Sequence, residues 1–218
     1  MKMKHISLLW VAALLMFGAF AFHAFIREDV KQEATDFQKD AKQGTTIPDS
    51  VIELCMPAPL KTTPEIILRK KSYVVSYNQD TRMPNWVAWQ LTAEHTDGEL
   101  KRMNNFHEEE NCPRPRATLQ DYKGSGWSRG HMCPAGDNKW SRDAMYDSFS
   151  LVNVCPQDSK LNSGVWNSLE MDCRQWARQY GEVYIVCGPV LMKRQHETIG
   201  PNKVVVPEAF FKVVLCMV

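Results

Sequence analysis

Two runs of sequence organise this chain: SRGHMCPAGDN at residues 128–138 and LNSGVWNSLE at residues 161–170. The first run contains His131, and a neutral imidazole is the side chain best suited to accept a proton from water near neutral pH. Arg129 can bind a phosphate through two parallel hydrogen bonds, and Gly130 allows a close approach of backbone or substrate. Taken alone, this run is explained better by a histidine that packs within a hairpin.

The second run places Asn162 and Glu170 eight residues apart. Asn162 follows Leu161 where a helix is predicted to begin, so an N-cap is one interpretation. Its side-chain oxygen is also a ligand of the kind that Mg²⁺ prefers. On one continuous helix Glu170 would lie about 80° round the axis from Asn162, so both could face one site. Arg174 lies one turn further on and either joins that site or forms an exposed ion pair with Glu170.

Together these residues resemble the DNA/RNA non-specific endonucleases, the ββα-metal nucleases that include mitochondrial endonuclease G and secreted bacterial nucleases. The resemblance rests on residues 129–131, 153–157 and 161–170. It extends back to residues 86–89 and forward to residues 198–214. The family commonly has aspartate before Arg-Gly-His, where this chain has serine. Because serine can still donate and accept hydrogen bonds, we expect activity to be retained.

The resemblance implies a divalent-metal nuclease. By position, His131 would be the general base that activates water, and Asn162 would be the direct protein ligand of Mg²⁺, with Mn²⁺ as a substitute. Glu170 would hold waters bound to the metal, and Asn153 would position the base or the substrate. The charge of the scissile phosphate would be neutralised by three arginines: Arg102, Arg129 and Arg174.

The activity implied by the resemblance is hydrolysis of DNA and RNA to products with 5′-phosphates. The partners would be DNA and RNA, contacted through the phosphate backbone, and a homodimer is compatible with the resemblance. Contacts with phosphate carry no sequence information directly, so we expect low sequence specificity. A catalytically impaired, nucleic-acid-binding member of the same family is the alternative. It would bind DNA in a salt-sensitive manner and cleave nothing.

Composition is compatible with this interpretation without requiring it. The chain has 218 residues, 44% of them hydrophobic, and a formal net charge of +1 at pH 7. This composition argues against a disordered chain, and the low charge argues against tight nucleic-acid storage. Residues 112–142, however, hold six Lys and Arg residues against two Asp residues. A basic stripe on a nearly neutral body suits transient contact with phosphates.

The N-terminus carries a targeting signal. Lys2 and Lys4 precede an almost wholly apolar run at residues 6–26, which is typical of a signal peptide or of an uncleaved signal anchor. Both interpretations predict an exported protein that is periplasmic, secreted or held at the membrane by residues 1–26. Residues 27–60 are interpreted as a stalk or linker and residues 61–218 as the endonuclease domain. Family members usually continue beyond the last strand, so we expect this domain to be incomplete at its C-terminus.

The expected fold is α+β, with a central, mainly antiparallel sheet, packed helices and a ββα-metal motif at residues 127–170. Residues 94–122 are polar and contain prolines, which favours a long surface loop. A helix is predicted from Leu161 to Tyr180 because apolar residues recur at nearly every fourth position. The predicted strands are residues 73–77, 86–92, 150–155, 183–187 and 210–218.

The seven cysteines leave their pairing open. No two of them form a C-x₂-C pair, which argues against a structural zinc site. An exported protein can form disulfides, and an odd number leaves at least one thiol unpaired. Buried free thiols are the alternative for several of them.

Overall fold

A computed structural model describes residues 56–216 of the chain. The predicted signal segment at residues 1–26 and nearly all of the predicted stalk lie outside the described residues. In the described part, none of the helices is both long enough and apolar enough to span a bilayer.

The described residues form nine strands and four α-helices. The strands are β1 (Ile66–Arg69), β2 (Val74–Asn78), β3 (Met83–Thr92), β4 (Ser128–His131), β5 (Val154–Gln157), β6 (Glu182–Val190), β7 (Thr198–Ile199), β8 (Val204–Val205) and β9 (Ala209–Leu215). The helices are α1 (Leu119–Tyr122), α2 (Arg142–Ser148), α3 (Ser159–Ser163) and α4 (Val165–Tyr180).

A five-stranded antiparallel sheet lies at the centre, with the strand order β1-β2-β3-β6-β9. Helix α4 buries Trp166, Cys173 and Ala177 in the main core. These residues are seven and four positions apart, so they fall on one face of a helix. In the same core, β3 buries alternate residues that include Val87 and Trp89. The predicted α+β fold with a mainly antiparallel sheet is therefore confirmed.

The ββα arrangement is formed by a separate two-stranded sheet. Strands β4 and β5 pair antiparallel, and the helices α3 and α4 follow β5 directly. The connection between the two strands carries α2. Strands β7 and β8 form a third, two-stranded sheet whose Ile199 and Val204 belong to a smaller apolar cluster with Tyr122 and Val154.

Two predicted strand boundaries were wrong because proline lies inside each strand. The strand predicted to end before Pro156 starts at Val154 and runs to Gln157, after a 3₁₀ turn at residues 151–153. Strand β6 continues through Pro189 to Val190. Each proline lies where a strand has one neighbour: β5 pairs with β4 alone, and the pairing of β6 with β3 ends at Cys187. A missing N–H is tolerated on such an edge.

The helix predicted from Leu161 to Tyr180 is interrupted at Gly164. This residue has φ −102° and ψ −111°, which separates α3 from α4. A Cβ atom at position 164 would lie 2.5 Å from the backbone oxygen of Lys160, so the close turn needs glycine. The N-cap of α3 is Asp158, whose side chain accepts hydrogen bonds from the backbone of Lys160 and Leu161.

The segment 94–122, predicted to be a surface loop, is partly buried. Glu109 is 6% exposed and forms an ion pair with Lys70. The side chain of Ser150 donates a hydrogen bond to the same carboxylate at 3.2 Å. The prediction of a surface loop therefore does not hold at Glu109, because paired polar side chains can be buried and composition does not reveal the partner.

Six of the seven cysteines lie in the described part, and all six are free thiols. Five of them are buried, and burial raises the pKa of Cys133 and Cys155 well above the usual thiol value. The alternative of buried thiols therefore describes these residues, which pack as small apolar groups.

Candidate active site

Strand β4 places His131 at its end, and Gly130 makes this placement sterically feasible. Gly130 lies opposite Cys155 and His131 lies opposite Val154 in the strand pair. The side chain of Gln157 crosses Gly130, so a Cβ atom at position 130 would lie 2.3 Å from Gln157 Oε1. Only glycine lets β4 and the buried Gln157 approach this closely.

The imidazole of His131 is enclosed by aromatic rings. Its centroid lies 5.1 Å from that of Phe106 and 5.0 Å from that of Phe149. The indole N–H of Trp166 on α4 donates a hydrogen bond to the backbone oxygen of His131 at 3.2 Å. The His131 side chain is 6% exposed. Strand, helix and aromatic packing thus hold the ring in one position.

Burial and positive neighbours keep His131 neutral. The pKa of His131 is lowered to about 3, mainly by burial and also by the positive charges of Arg102 and Arg129. Its Nε2 atom is buried and has no hydrogen-bond partner among the described residues. A neutral imidazole with an unpartnered nitrogen is chemically able to take part in proton transfer.

A cavity of about 530 Å³ is lined by Phe106, whose ring contacts His131, while His131 itself does not line it. Its volume is within the range of small-molecule and cofactor sites. Its lining combines basic residues with aromatic and apolar ones. The lining residues are Arg102, Phe106, Leu119, Tyr122, Lys123, Trp127, Ser128, Arg129 and Asn162.

Each of the two predicted phosphate-binding arginines at the cavity contacts an aromatic ring that also contacts His131. The guanidinium of Arg129 lies 4.3 Å from the centroid of the Phe106 ring, and that of Arg102 lies 5.6 Å from the Phe149 ring. Both rings also contact His131. Cation–π contacts therefore hold two exposed positive charges next to the buried base.

Asn162 lies within α3 and not at its N-cap. Its side chain lines the cavity and makes no hydrogen bond to any other described residue. The amide oxygen is therefore available to a ligand. The prediction that Asn162 and Glu170 lie on one continuous helix was wrong, because Gly164 separates them. The angle of about 80° does not apply across this interruption.

Glu170 is half-buried on α4 and is surrounded by charges. The pKa of Glu170 is raised to about 7, mainly by burial and also by the negative charge of Asp137. The positive charges of Lys212, Arg174 and Arg102 act in the opposite direction. Near neutral pH this carboxyl is therefore partly protonated, and a cation bound nearby would favour its ionised form.

Arg174 is held by Asp137, which sequence reasoning did not include in the site. Arg174 Nη1 lies 2.8 Å from Asp137 Oδ1, and the other oxygen of Asp137 accepts a hydrogen bond from Trp89 Nε1 at 3.1 Å. A Cβ atom at Gly136 would lie 2.8 Å from Arg174 Nη1, so the glycine makes room for the guanidinium. This pairing replaces the exposed Glu170–Arg174 ion pair that was the alternative interpretation. Phosphate binding by Arg174 stays a prediction.

Lys212 is a second charged residue that the sequence analysis missed. Its ammonium nitrogen is buried, lies 4.4 Å from the Trp166 ring and 5.0 Å from the Trp89 ring, and has no hydrogen-bond partner among the described residues. Burial opposes protonation, but the neighbouring Cys187 and Glu170 outweigh it, and the pKa of Lys212 is raised. The signal in the sequence was one lysine inside the apolar strand AFFKVVL.

Asn153 acts through the backbone that follows His131. It is fully buried, and its Oδ1 accepts a hydrogen bond from the backbone N–H of Cys133 at 2.9 Å. Its Nδ2 donates to the backbone oxygens of Cys133 and Ser148, each at 2.8 Å. These contacts fix the segment after β4. Asn153 could therefore position His131 indirectly, through the backbone of the segment that follows it, as the prediction required. Asn153 does not line the cavity.

The donor groups fit a hard divalent cation that keeps most of its water. No cluster of three or more His, Cys, Asp or Glu residues able to hold a metal ion occurs among residues 56–216. The available groups are the free amide of Asn162 and the half-buried carboxyl of Glu170. Mg²⁺ often binds through one or two protein oxygens, with waters and phosphate oxygens completing its coordination. This set does not suit zinc, which prefers nitrogen and sulfur ligands.

Replacing Glu170 with glutamine is expected to stabilise the metal-free protein at pH 8 by about 3–3.5 kcal/mol, since a rise of the pKa from 4.5 to about 7 costs about 1.4 kcal/mol for each pKa unit. The pKa of Glu170 is raised from 4.5 to about 7 in the folded state. The protonated carboxyl of Glu170 therefore makes its full contribution to the free energy of unfolding below pH 4.5. This contribution is lost as the pH rises through 7. Glutamine mimics the protonated form at every pH. Urea unfolding in EDTA at pH 5.5 and pH 8 measures the difference.

The exposed Glu110 offers a matched control for this change. Glu110→Gln should alter the free energy of unfolding by less than about 0.5 kcal/mol at both pH values, as is usual for surface positions. An equal gain for Glu170→Gln at pH 5.5 and pH 8 would contradict the assigned burial of this carboxyl.

An antiparallel strand pair followed by a helix, with a buried histidine on the first strand and a free asparagine amide on the helical side, defines a ββα-metal nuclease fold. A model of the DNA/RNA non-specific endonuclease family matches residues 56–217. The chain therefore belongs to the DNA/RNA non-specific endonuclease family.

Several relatives have similar sequences. The mitochondrial nuclease EXOG of Danio rerio is 42% identical over 156 residues, which cover 66% of this chain and 45% of that protein. Mitochondrial endonuclease G of Homo sapiens is 40% identical over 157 residues, or 67% of this chain and 53% of that protein. A nuclease of Nostoc sp. is 34% identical over 165 residues, covering 73% and 58%.

A solved structure of an EndoG/EndoGI complex, described as showing the mechanism of EndoG inhibition, has a similar fold. It superposes with a TM-score of 0.65 at 32% identity and covers 69% of this chain and 68% of that one. The chain spans about half the length of the mitochondrial relatives that it matches.

Proposed function

We propose that this protein is a Mg²⁺-dependent nuclease that hydrolyses phosphodiester bonds of DNA and RNA, without sequence specificity, to products with 5′-phosphates. The observation that supports it most is the neutral, buried His131 beside two exposed arginines and the free amide of Asn162. Membership of a nuclease family supports the same reaction class.

In this proposal, Arg102 and Arg129 bind the scissile phosphate. Both lower the pKa of His131 when no anion is present. A bound phosphate neutralises them, so the pKa of His131 rises and the imidazole becomes a stronger base. His131 then accepts a proton from the attacking water at its free nitrogen. Substrate binding thereby activates the base.

The remaining groups would hold the metal and its waters. Asn162 would bind the ion directly, and Glu170 would accept hydrogen bonds from waters around it. A bound divalent cation supplies charge stabilisation at the phosphate and at the leaving oxygen. The positive charges of Lys212 and Arg174 favour the ionised form of Glu170. Low sequence specificity follows because the groups involved contact phosphate.

We further propose that the protein is exported. The basic start and the apolar run at residues 6–26 support this location. Cleavage of this segment would give a periplasmic or secreted enzyme, and retention would give a membrane-anchored one. The homodimer stays a prediction.

Removal of divalent metal is expected to abolish hydrolysis. The full chain, in mild detergent, is incubated with supercoiled plasmid or with a structured RNA. Each substrate is tested in millimolar Mg²⁺, in Mn²⁺ and in EDTA, because Mg²⁺ held through few protein ligands is expected to need a concentration of this order. Both substrates should be degraded with either metal and remain intact in EDTA. End-labelling before and after phosphatase treatment identifies the 5′-phosphates.

Hydrolysis that is undiminished in EDTA would rule out the metal requirement. Salt-sensitive binding of DNA without cleavage in any metal would instead identify the impaired, nucleic-acid-binding alternative. Asn162→Ala should reproduce the effect of EDTA at low Mg²⁺ concentration and be partly restored by a higher one, because it removes a metal ligand.

A further inference from the structure

We propose that Trp127 and Leu119, which line the cavity next to the His131 site, form a binding subsite for one unpaired nucleobase, which stacks on the indole of Trp127. The inference rests on the proposed function in that it assigns a substrate conformation to the same site. It goes beyond that function because phosphate binding alone does not require a base to leave its stack.

The cavity lining combines two chemically different kinds of residue. Arg102, Lys123 and Arg129 supply positive charge, whereas Leu119 and Trp127 supply apolar surface. A cavity that bound phosphate alone would need only the positively charged residues. A nucleotide has the matching distribution, since its phosphate is anionic and its base is flat and weakly polar. Single-stranded nucleic acids are commonly bound by such a combination of basic groups and aromatic platforms.

Trp127 is the ring in the cavity that is best placed to serve as a platform. Its indole N–H donates a hydrogen bond to Glu197 Oε1 at 2.9 Å, which fixes the orientation of the ring. The ring is partly buried against the apolar cluster of Tyr122 and Ile199, and its remaining surface lines the cavity. A ring whose orientation is fixed loses little conformational entropy when a base stacks on it.

The other two aromatic residues of the cavity have their faces in use. Phe106 is covered by the guanidinium of Arg129 and contacts the ring of His131. Tyr122 is 6% exposed and lies in the apolar cluster. Leu119, by contrast, is 45% exposed on the cavity wall and can cover the edge of a base.

The position of Trp127 relates this subsite to the reacting phosphate. Trp127 is followed directly by Ser128 and Arg129, both of which also line the cavity. A nucleotide whose phosphate contacts Arg129 therefore has its base within reach of the neighbouring indole. In a duplex that base is stacked inside the helix, so use of the subsite requires a single strand, a frayed end or an extruded base.

The proposal is tested by binding, without turnover, in the His131→Ala background. The probe is a fluorescein-labelled oligothymidylate, compared with an oligomer of the same length in which every residue is an abasic sugar-phosphate. We expect the oligothymidylate to bind about 5- to 150-fold more tightly, the range that corresponds to stacking of one base. Trp127→Leu keeps apolar packing but removes the aromatic face, and it should abolish this preference.

Two further variants make the result specific. Trp127→Phe should keep part of the preference, because phenylalanine retains an aromatic face. Tyr180→Ala, at an exposed aromatic residue on the end of α4 outside the cavity, should keep all of it. Trp127→Leu should leave the affinity for the abasic oligomer unchanged, which shows that the phosphate-binding side is intact.

Equal affinities for the two oligomers, or a preference that survives Trp127→Leu, would overturn the subsite. Cleavage of oligothymidylate and duplex by the protein with His131 present is measured in parallel, with Mg²⁺. Cleavage without a Trp127-dependent preference would retain the proposed function and reject the subsite. A Trp127-dependent preference without any cleavage would retain the subsite and reject the proposed function.

Discussion

Replacing His131 with alanine is expected to lower the rate of phosphodiester hydrolysis by about 10²–10⁴-fold, the usual contribution of a positioned general base. The imidazole is neutral because burial lowers its pKa to about 3, and its Nε2 atom has no partner among the described residues. No other histidine lies near enough to contact the same aromatic rings in the described part. Single-turnover cleavage of plasmid at saturating Mg²⁺ measures the loss.

The matched control is His107→Ala. The side chain of His107 stacks on Tyr146, with 4.1 Å between ring centroids, and does not line the cavity. This variant should keep nearly full activity. Affinity for plasmid in low salt should remain in His131→Ala, because the arginines are unchanged. Full activity of a pure, folded His131→Ala protein would refute the assignment of this residue as the base.

Replacing Asp137 with alanine is expected to destabilise the fold by about 3–5 kcal/mol, as is typical when one member of a buried ion pair is removed. The carboxylate of Asp137 is 3% exposed, pairs with Arg174 at 2.8 Å and accepts the indole N–H of Trp89 at 3.1 Å. Its loss leaves a buried guanidinium and a buried donor unsatisfied. Urea unfolding measures the change. Activity should fall as well, because Arg174 and Glu170 lie in the same charged cluster.

Two comparisons separate the ion pair from general surface effects. Asp172→Ala removes an exposed carboxylate from α4 and should change stability by less than about 0.5 kcal/mol. The double variant Asp137→Ala/Arg174→Met should be more stable than Asp137→Ala alone, since no unpaired charge remains. A loss below about 0.5 kcal/mol for Asp137→Ala would show that the pair contributes nothing net.

The periodicity of the sequence was sufficient for much of the fold. Runs rich in valine and aromatic residues predicted β2 and β3, and apolar residues near every fourth position predicted α4. These signals are local, because side-chain direction in a strand or helix depends on position along the same element. Strand boundaries at Pro156 and Pro189 were missed because the effect of proline depends on whether the strand has a neighbour on that side.

The candidate site was predicted less completely than the fold. His131, Asn162 and Glu170 were predicted from a motif, but the continuous helix assumed between Asn162 and Glu170 was wrong. A single unusual backbone conformation at Gly164 separates α3 from α4. An isolated glycine in a helical pattern does not by itself predict such an interruption. The pairing of Asp137 with Arg174 was missed because the residues are 37 positions apart.

The sequence by itself determined the chemistry available to this protein: an Arg-Gly-His followed by an asparagine and a glutamate, on a chain with several strand-forming runs. Only the tertiary structure decided the charge state and the direction of these groups. Burial against Phe106 and Phe149 makes His131 neutral, and Asp137 draws Arg174 toward the core. Lys212 reaches Glu170 from the last described strand. These effects depend on distances and burial between remote segments, which no local pattern of residues specifies.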